Sequence, residues 1–503
     1  MRAPGWADLY AWEVDRGSGT PLFRQVYLEI RSAILSQRLP PGTKLPSTRE
    51  LASRLRLARA SVVSAYEQLL AEGYLAGKVG SGTYISSDLP EPIERRSPKR
   101  AEQPVAKPPR LPVRAKALEE VGASTAESDH GPFNTGRCSV DARTVEAWRT
   151  LSHRAVRSLG PVHLGYSDAR GLIELRTTIC DYLQAARAVR CGPEQIVVTA
   201  GTQQAIDIAI RVLLDRGDQV WVEDPCYPMT SAALAAANVK LRPIPVDGQG
   251  LDVSAGIRSA PKARAAFVTP SNQFPLGVVL SMARRLELLA WARETGAWII
   301  EDDYDSEFRY SGRPLASLQG LDDGERTIYV GTLNKVLFPG LRIGYAVVPR
   351  SLLRAFVNAR YLMDRHPPSL YQTVAAEFMR QGYFAAHIRR VRLLYRDQRD
   401  VLVAELTRRV GANVMLKAPD QGKHLVAYLG EGLSDIDLEH AAHQRGIIVR
   451  AINRMYKKAP PRSALILGFT GYPREMIVPA VARLAEVINE RSTCPARRVP
   501  DSR

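Results

Sequence analysis

The stretch Tyr329-Val-Gly-Thr-Leu-Asn-Lys335-Val-Leu-Phe-Pro-Gly-Leu-Arg342-Ile-Gly344-Tyr345 decides how most of this 503-residue chain is read. An amine is followed seven residues later by a guanidinium, with Thr332 three residues before the amine and Pro339-Gly340 turning the chain between them. A lysine held partly desolvated keeps its neutral form within reach and can form a Schiff base with an aldehyde. An arginine and a hydroxyl nearby suit a phosphate dianion, which the guanidinium can grip in bidentate fashion. An aldehyde joined to a phosphate describes pyridoxal 5'-phosphate.

Such a cofactor asks for more than an amine, and the flanking sequence supplies candidates. Short apolar runs at 196–199, 219–222, 265–269, 297–300 and 327–330 read as buried strands, with helical patterns such as Thr202–Leu214 and Met282–Thr295 between them. That alternation predicts a mostly parallel α/β sheet. Ala200-Gly201-Thr202-Gln203 follows a strand and opens a helix, so its N–H groups can face a phosphate. Glu301-Asp302-Asp303-Tyr304 follows Trp298-Ile-Ile, where α/β sheets place their ligands. A carboxylate there can keep a pyridine nitrogen protonated, and Tyr304 can hydrogen-bond a phenolate. Tyr227 offers a flat ring, and Asn272 or Gln273 offers polar contacts. Each loop alone is weak; on composition, 301–307 is an ordinary acidic turn. Converging on one ligand, they are specific.

The first ninety residues carry a different pattern. Apolar residues at helical spacing (Val26, Ile30, Ala33, Ile34) stop at Pro40-Pro41-Gly42. Ser47 and Glu50 then form a capping-box signature over Leu45–Leu55. After a brief turn comes a second short helix, 59–70, with small and polar residues at its start, and a Gly-rich hairpin over Gly77–Ile85. Two short helices and a hairpin suit major-groove entry. Residues 88–130 are dense in Pro, Lys and Arg, which predicts an extended linker.

Bulk composition agrees with several domains and a polyanionic partner. Lys and Arg total 69 against 52 Asp and Glu, a net +17 with pI near 9.8, and 45% of residues are hydrophobic. Five scattered cysteines show no zinc or disulfide spacing, which fits a reducing cytoplasm. No apolar run reaches membrane-spanning length and the N-terminus lacks an apolar leader, so a cytoplasmic protein with no membrane association is expected.

Leu45-Pro-Ser-x-Arg-Glu-Leu-Ala, the Ser/Tyr-bearing second helix and Gly-Ser-Gly-Thr-Tyr84 together resemble the winged helix-turn-helix of GntR-type regulators. The resemblance implies DNA contacts for Arg49, Arg59, Ser61, Ser64, Lys78 and Ser81. Residues 132–490 resemble fold-type I aminotransferases, and the tandem resembles the MocR family of transcriptional regulators. It implies a winged-helix domain (1–87), the linker (88–130) and an aminotransferase-like domain (131–495) with a smaller α+β subdomain. For the cofactor it implies covalent attachment at Lys335 and the ring nitrogen at Asp302 in preference to Asp303. It gives the phenolate oxygen to Tyr304 with Asn272, stacking to Tyr227, and phosphate to Gly201, Thr202, Thr332 and Arg342. A homodimer on paired DNA half-sites follows, sensing a small-molecule amine or a pyridoxal phosphate-related effector, with Tyr166 near the shared site.

Departures bear on catalysis. Asn334 precedes the lysine where serine is commoner, and Asn272 stands where such regulators often have histidine. Ile466 occupies the place where aminotransferases commonly carry the arginine that clamps a substrate carboxylate; Arg450 and Arg454 lie close in sequence. This favours a regulator over an active aminotransferase with an accessory DNA-binding module. Persistence of Lys335, Asp302 and Arg342 argues against a domain that has lost its cofactor.

Overall fold

The computed structural model describes residues 12–78, 81–89, 131–312, 315–322, 326–458 and 462–492, with Ala115 and Leu118. The chain divides into two compact units, residues 1–109 and 110–503. The linker expected at 88–130 lies almost entirely outside the described residues, as do Val79 and Gly80 of the expected hairpin.

The first unit packs α1 (Leu22–Leu35), α2 (Thr48–Leu55) and α3 (Arg59–Ala71) beside a hairpin of β1 (Leu75–Lys78) and β2 (Gly82–Ile85). Ser47 caps α2 as its sequence predicts, its hydroxyl accepting from Glu50 N at 3.2 Å. Arg56 adopts a left-handed conformation that reverses the chain between α2 and α3. Val26, Ile30, Ile34, Leu51, Val62, Tyr66 and Leu69 fill the core, so the opposite faces of α2 and α3 stay free.

The second unit is built on an eight-stranded sheet in the order β3-β10-β9-β8-β7-β4-β5-β6. Its strands are β3 (Ile196–Thr199), β4 (Gln219–Asp224), β5 (Lys240–Asp247), β6 (Gly250–Leu251), β7 (Ala265–Val268), β8 (Trp298–Asp303), β9 (Thr327–Thr332) and β10 (Gly344–Val347). β9, β8, β7, β4 and β5 run parallel, and β10 is antiparallel to both β9 and β3. Register therefore brings Thr199, Asp302, Thr332 and Gly344 to one edge, joined there by the ends of β4 and β7. Helices α4 (Ala142–Arg157), α5 (Ile173–Arg187), α6 (Thr202–Leu213) and α7 (Met282–Thr295) belong to this unit. A smaller antiparallel sheet, β11 (Val414–Leu416), β12 (His424–Leu429), β14 (Ala464–Gly468) and β13 (Arg450–Ala451), packs with α8 (Tyr383–Val410) and α9 (Arg474–Ser492).

One element reading needs correction. The strand expected at 297–300 continues through Asp303, so the carboxylates stand on β8 itself and alternate between its faces. β13 is only two residues long, and just before it Ile448 N donates to Pro132 O at 2.9 Å, outside the ladder.

That alternation sends Asp303 into the protein, where its Oδ2 accepts from Arg187 Nε at 2.8 Å, Tyr329 OH at 2.6 Å and Ser306 Oγ at 2.9 Å. Removing one partner of a buried ion pair strands the other charge, a cost of about 3–5 kcal/mol. Arg187→Leu is expected to destabilise the second unit by that amount in urea unfolding; a loss under about 1 kcal/mol would show the pair to be dispensable.

Candidate functional site

Lys335 lies just beyond β9, half-buried, in a loop tied down by its neighbours. Thr332 Oγ1 accepts from Asn334 N at 3.1 Å and donates to Ile343 O at 3.2 Å, while Asn334 Oδ1 accepts from Ile343 N at 2.8 Å. The Thr332 hydroxyl is thus engaged in closing the lysine loop. Burial, and then the nearby Lys423 ammonium, hold the Lys335 amine below its ordinary pKa, so its neutral, nucleophilic form is more accessible.

Gly201, Asn334 and Arg342 come together beside this loop. Gly201 sits at φ +130° as N-cap of α6, and a Cβ built on it would lie 3.1 Å from Asn334 Nδ2 and 3.4 Å from an Arg342 guanidinium nitrogen. Gly344 approaches the same backbone closely enough that its own Cβ would meet Gly201 Cα at 2.6 Å. Two glycines thus let two strands meet while amide, guanidinium and helix N-terminus point at one spot. Thr202 is the first residue of α6. Asn334, read from sequence only as a departure, belongs to this cluster.

Asp302 faces the same edge. Its Oδ1 is buried and has no hydrogen-bond partner among the described residues. Burial, then the charges of Asp303 and Glu223, push its pKa up to about 7, against a smaller lowering by Lys335. Tyr304 OH donates to Asn272 O at 3.0 Å and accepts from Asn272 Nδ2 at 3.2 Å. Asp305 fixes that amide through both oxygens, at 3.0 and 2.9 Å. Glu223 braces the same loop from below, accepting from Thr269 N, Thr269 Oγ1 and Gln273 Nε2. Tyr227 is 41% exposed and meets Phe274 edge-on at 5.4 Å; Phe274 in turn touches Tyr304 and His424.

Glu223, Asp305, Phe274 and His424 carried no assigned role in the sequence. Only the position of Glu223 at a strand's C-terminal end hinted at one. Ile466 is fully buried in an apolar cluster with Phe274, Leu276 and Val426. Arg450 lies directly opposite Ile466 across the β13–β14 pair, whereas Arg454 is engaged with Glu439 at 2.7 Å.

On the first unit, Arg49, Arg59, Ser64 and Ser81 are exposed and Ser61 is half-buried. Arg59 Nε lies 3.5 Å from Thr48 Oγ1, placing the start of α3 against the start of α2. Lys78 ends β1. Ser81 Oγ and Tyr84 OH are 2.6 Å apart, and the Lys44 ammonium stands 5.8 Å from the Tyr84 ring centroid. The sequence reading missed Lys44.

Comparison with known proteins matches both units. Residues 132–468 match the family "Aminotransferase class I and II", and residues 22–85 match "Bacterial regulatory proteins, gntR family". The chain is 38% identical over 91% of its length to the "Probable rhizopine catabolism regulatory protein MocR" of Rhizobium meliloti, covering 92% of that relative. It is 30% identical over 93% of its length to the pyridoxine biosynthesis regulator PdxR of Corynebacterium glutamicum, covering 96% of it. Among solved structures, it resembles the α-aminoadipate aminotransferase LysN of Thermus thermophilus in complex with N-(5'-phosphopyridoxyl)-L-leucine. That likeness has a TM-score of 0.68 at 27% identity, over 75% of this chain and 97% of the other.

The Asp302 carboxyl yields a pH signature. Between its ordinary pKa of 3.8 and about 7 the folded protein holds a proton that the unfolded chain has released. Stability should therefore fall as pH rises across that window and level off above it. Asp302→Asn, neutral throughout, is expected to show a shallower fall in thermal melting of the cofactor-free protein; an unchanged slope would contradict the assignment.

Proposed function

The chain belongs to the MocR-type regulators, GntR winged helices followed by aminotransferase-like domains, and on that premise we propose that it reads DNA through α3 and the wing and binds pyridoxal 5'-phosphate at the Lys335 edge. It is a transcriptional regulator by family.

The observation that carries the cofactor reading is the Asp302 carboxyl, which, unlike its ion-paired neighbour Asp303, takes no donor among the described residues and leaves a buried Oδ1 unpartnered at the sheet edge. Burying such an oxygen without a partner costs about 1–3 kcal/mol, which a pyridinium N–H would relieve. When bound, pyridoxal 5'-phosphate supplies an aldehyde for amines and an electron-withdrawing ring. Lys335 would hold its aldehyde end and Asp302 its ring nitrogen. Tyr304 and Asn272 would hold its phenolate, Tyr227 its face, and Gly201, Thr202, Thr332 and Arg342 its phosphate. Thr332 would serve that role chiefly by shaping the loop, since its hydroxyl already bonds two backbone groups.

The effector is a small-molecule amine or a pyridoxal phosphate-related compound. An apolar Ile466 where a carboxylate clamp would stand weakens the alternative reading, an aminotransferase with an accessory DNA module. We assign a domain order of winged helix to residue 87, linker at 88–130 and sensor domain at 131–495. A homodimer is supported by a run of exposed side chains, Leu164, Tyr166, Tyr361 and Leu362, the last 84% exposed. The Arg365 guanidinium draws Tyr166 and Tyr361 together, lying over both rings. Large exposed apolar patches of this kind mark interaction surfaces. No described helix is long and apolar enough to cross a membrane, and the regulators matched are bacterial; a cytoplasmic location completes the reading.

In fluorescence anisotropy on DNA selected by the protein, Arg49→Ala with Arg59→Ala is expected to weaken binding at least tenfold and to reduce the salt slope by about one per lost phosphate contact. Unaltered affinity and slope would remove α2 and α3 from the interface. With an amino acid and a keto acid, absorbance is expected to change for a single turnover; sustained transamination would favour the enzyme.

A further inference from the structure

Behind the Lys335 backbone lies a pair of side chains whose direct contact none of the preceding roles uses. Lys423, at the start of β12, is only 2% exposed. Its ammonium donates to Cys138 Sγ at 3.0 Å and to Lys335 O at 3.0 Å. Cys138 Sγ in turn lies 3.2 Å from Lys335 O and 3.6 Å from Asn334 O. Cys138, 285 residues away in sequence from Lys423, is half-buried and leads into α4. A lysine so deeply placed is costly unless its charge is compensated. Burial works against the Lys423 ammonium, yet the Cys138 sulfur and the Tyr395 phenol outweigh it and keep the amine protonated. The Phe308 ring lies 5.7 Å from Lys423 Nζ, closing one side of the pair.

We propose that Cys138 and Lys423 form a peroxide-driven, thiol-reversible sulfur–nitrogen cross-link. In the first step the Cys138 thiolate attacks hydrogen peroxide, gaining one oxygen and giving up two electrons, and the other oxygen leaves as water. In the second, the Lys423 ammonium passes one proton to the sulfenate oxygen, the freed amine attacks sulfur, and the hydroxide that leaves takes a second proton from nitrogen and departs as water, so that an S–N bond replaces the S–O bond. The sum is one thiolate, one ammonium and one peroxide to one sulfenamide and two waters. A thiol reductant reverses it by attack on sulfur. Sulfenic acids condense with nitrogen in this way when the nitrogen is already in contact, and 3.0 Å is contact. The link would tie the segment leading to α4 to β12 across the Lys335 carbonyl. It would also delete the ammonium that disfavours a proton on Lys335, so oxidation would reach the sensing lysine electrostatically. The cross-link itself stands whether or not Lys335 carries a cofactor.

The test is full-length protein treated with hydrogen peroxide, then intact mass and peptide mapping without reductant. The expected product is about 2 Da lighter than untreated protein and yields a peptide joining Cys138 to Lys423 that dithiothreitol separates. Mapping distinguishes it from a Cys180–Cys191 disulfide, whose sulfurs stand 3.8 Å apart. Cys138→Ser and Lys423→Met should each abolish the joined peptide, and the conservative serine variant keeps the test valid should the methionine variant fold poorly. A Lys423 peptide recovered free while Cys138 is unmodified, joined to another cysteine, or carried to sulfinic acid would overturn the proposal.

Discussion

Everything at the candidate site depends on how β8 divides two adjacent carboxylates. Asp303 turns inward and takes three donors, from Arg187, Tyr329 and Ser306. Asp302, one residue earlier and therefore on the opposite face, takes no such donor among the described residues; its buried Oδ1 is unpartnered, as is the Oδ1 of Asp303. The buried ion pair fixes the strand in place, and the strand then aims a lone acceptor at the sheet edge. A single alternation thus separates an ion-paired carboxyl from one that takes no donor among the described residues.

The sheet does the rest by register. Because β3, β9, β8, β7 and β4 end on one side, five loops distant in sequence converge there. Most of this was legible beforehand, since apolar runs, glycines and the lysine segment carry local signals. Ser47 and Glu50 likewise announced a helix start that the structure forms. What sequence could not decide was which of Asp302 and Asp303 turns inward to Arg187, because spacing gives alternation but not phase. The same limit hid Asp305, Phe274 and His424, whose roles come from partners on other strands.

Long-range packing was illegible for a different reason. Nothing near Cys138 signals Lys423, and nothing near either signals the Lys335 carbonyl that both approach. The Ile448 amide belongs to the same class, since it donates to Pro132, more than three hundred residues earlier. Such contacts come from closing the domain, which pattern along the chain does not record.

Ile466 stands where the aminotransferase resemblance implies a carboxylate-clamping arginine, and it is buried in an apolar cluster with Phe274 and Leu276. The most direct measurement is borohydride reduction of the pyridoxal 5'-phosphate-reconstituted protein followed by peptide mapping. A phosphopyridoxyl group on Lys335, lost in Lys335→Ala, is the predicted result. Label spread over surface lysines, with position 335 unmodified, would contradict the account.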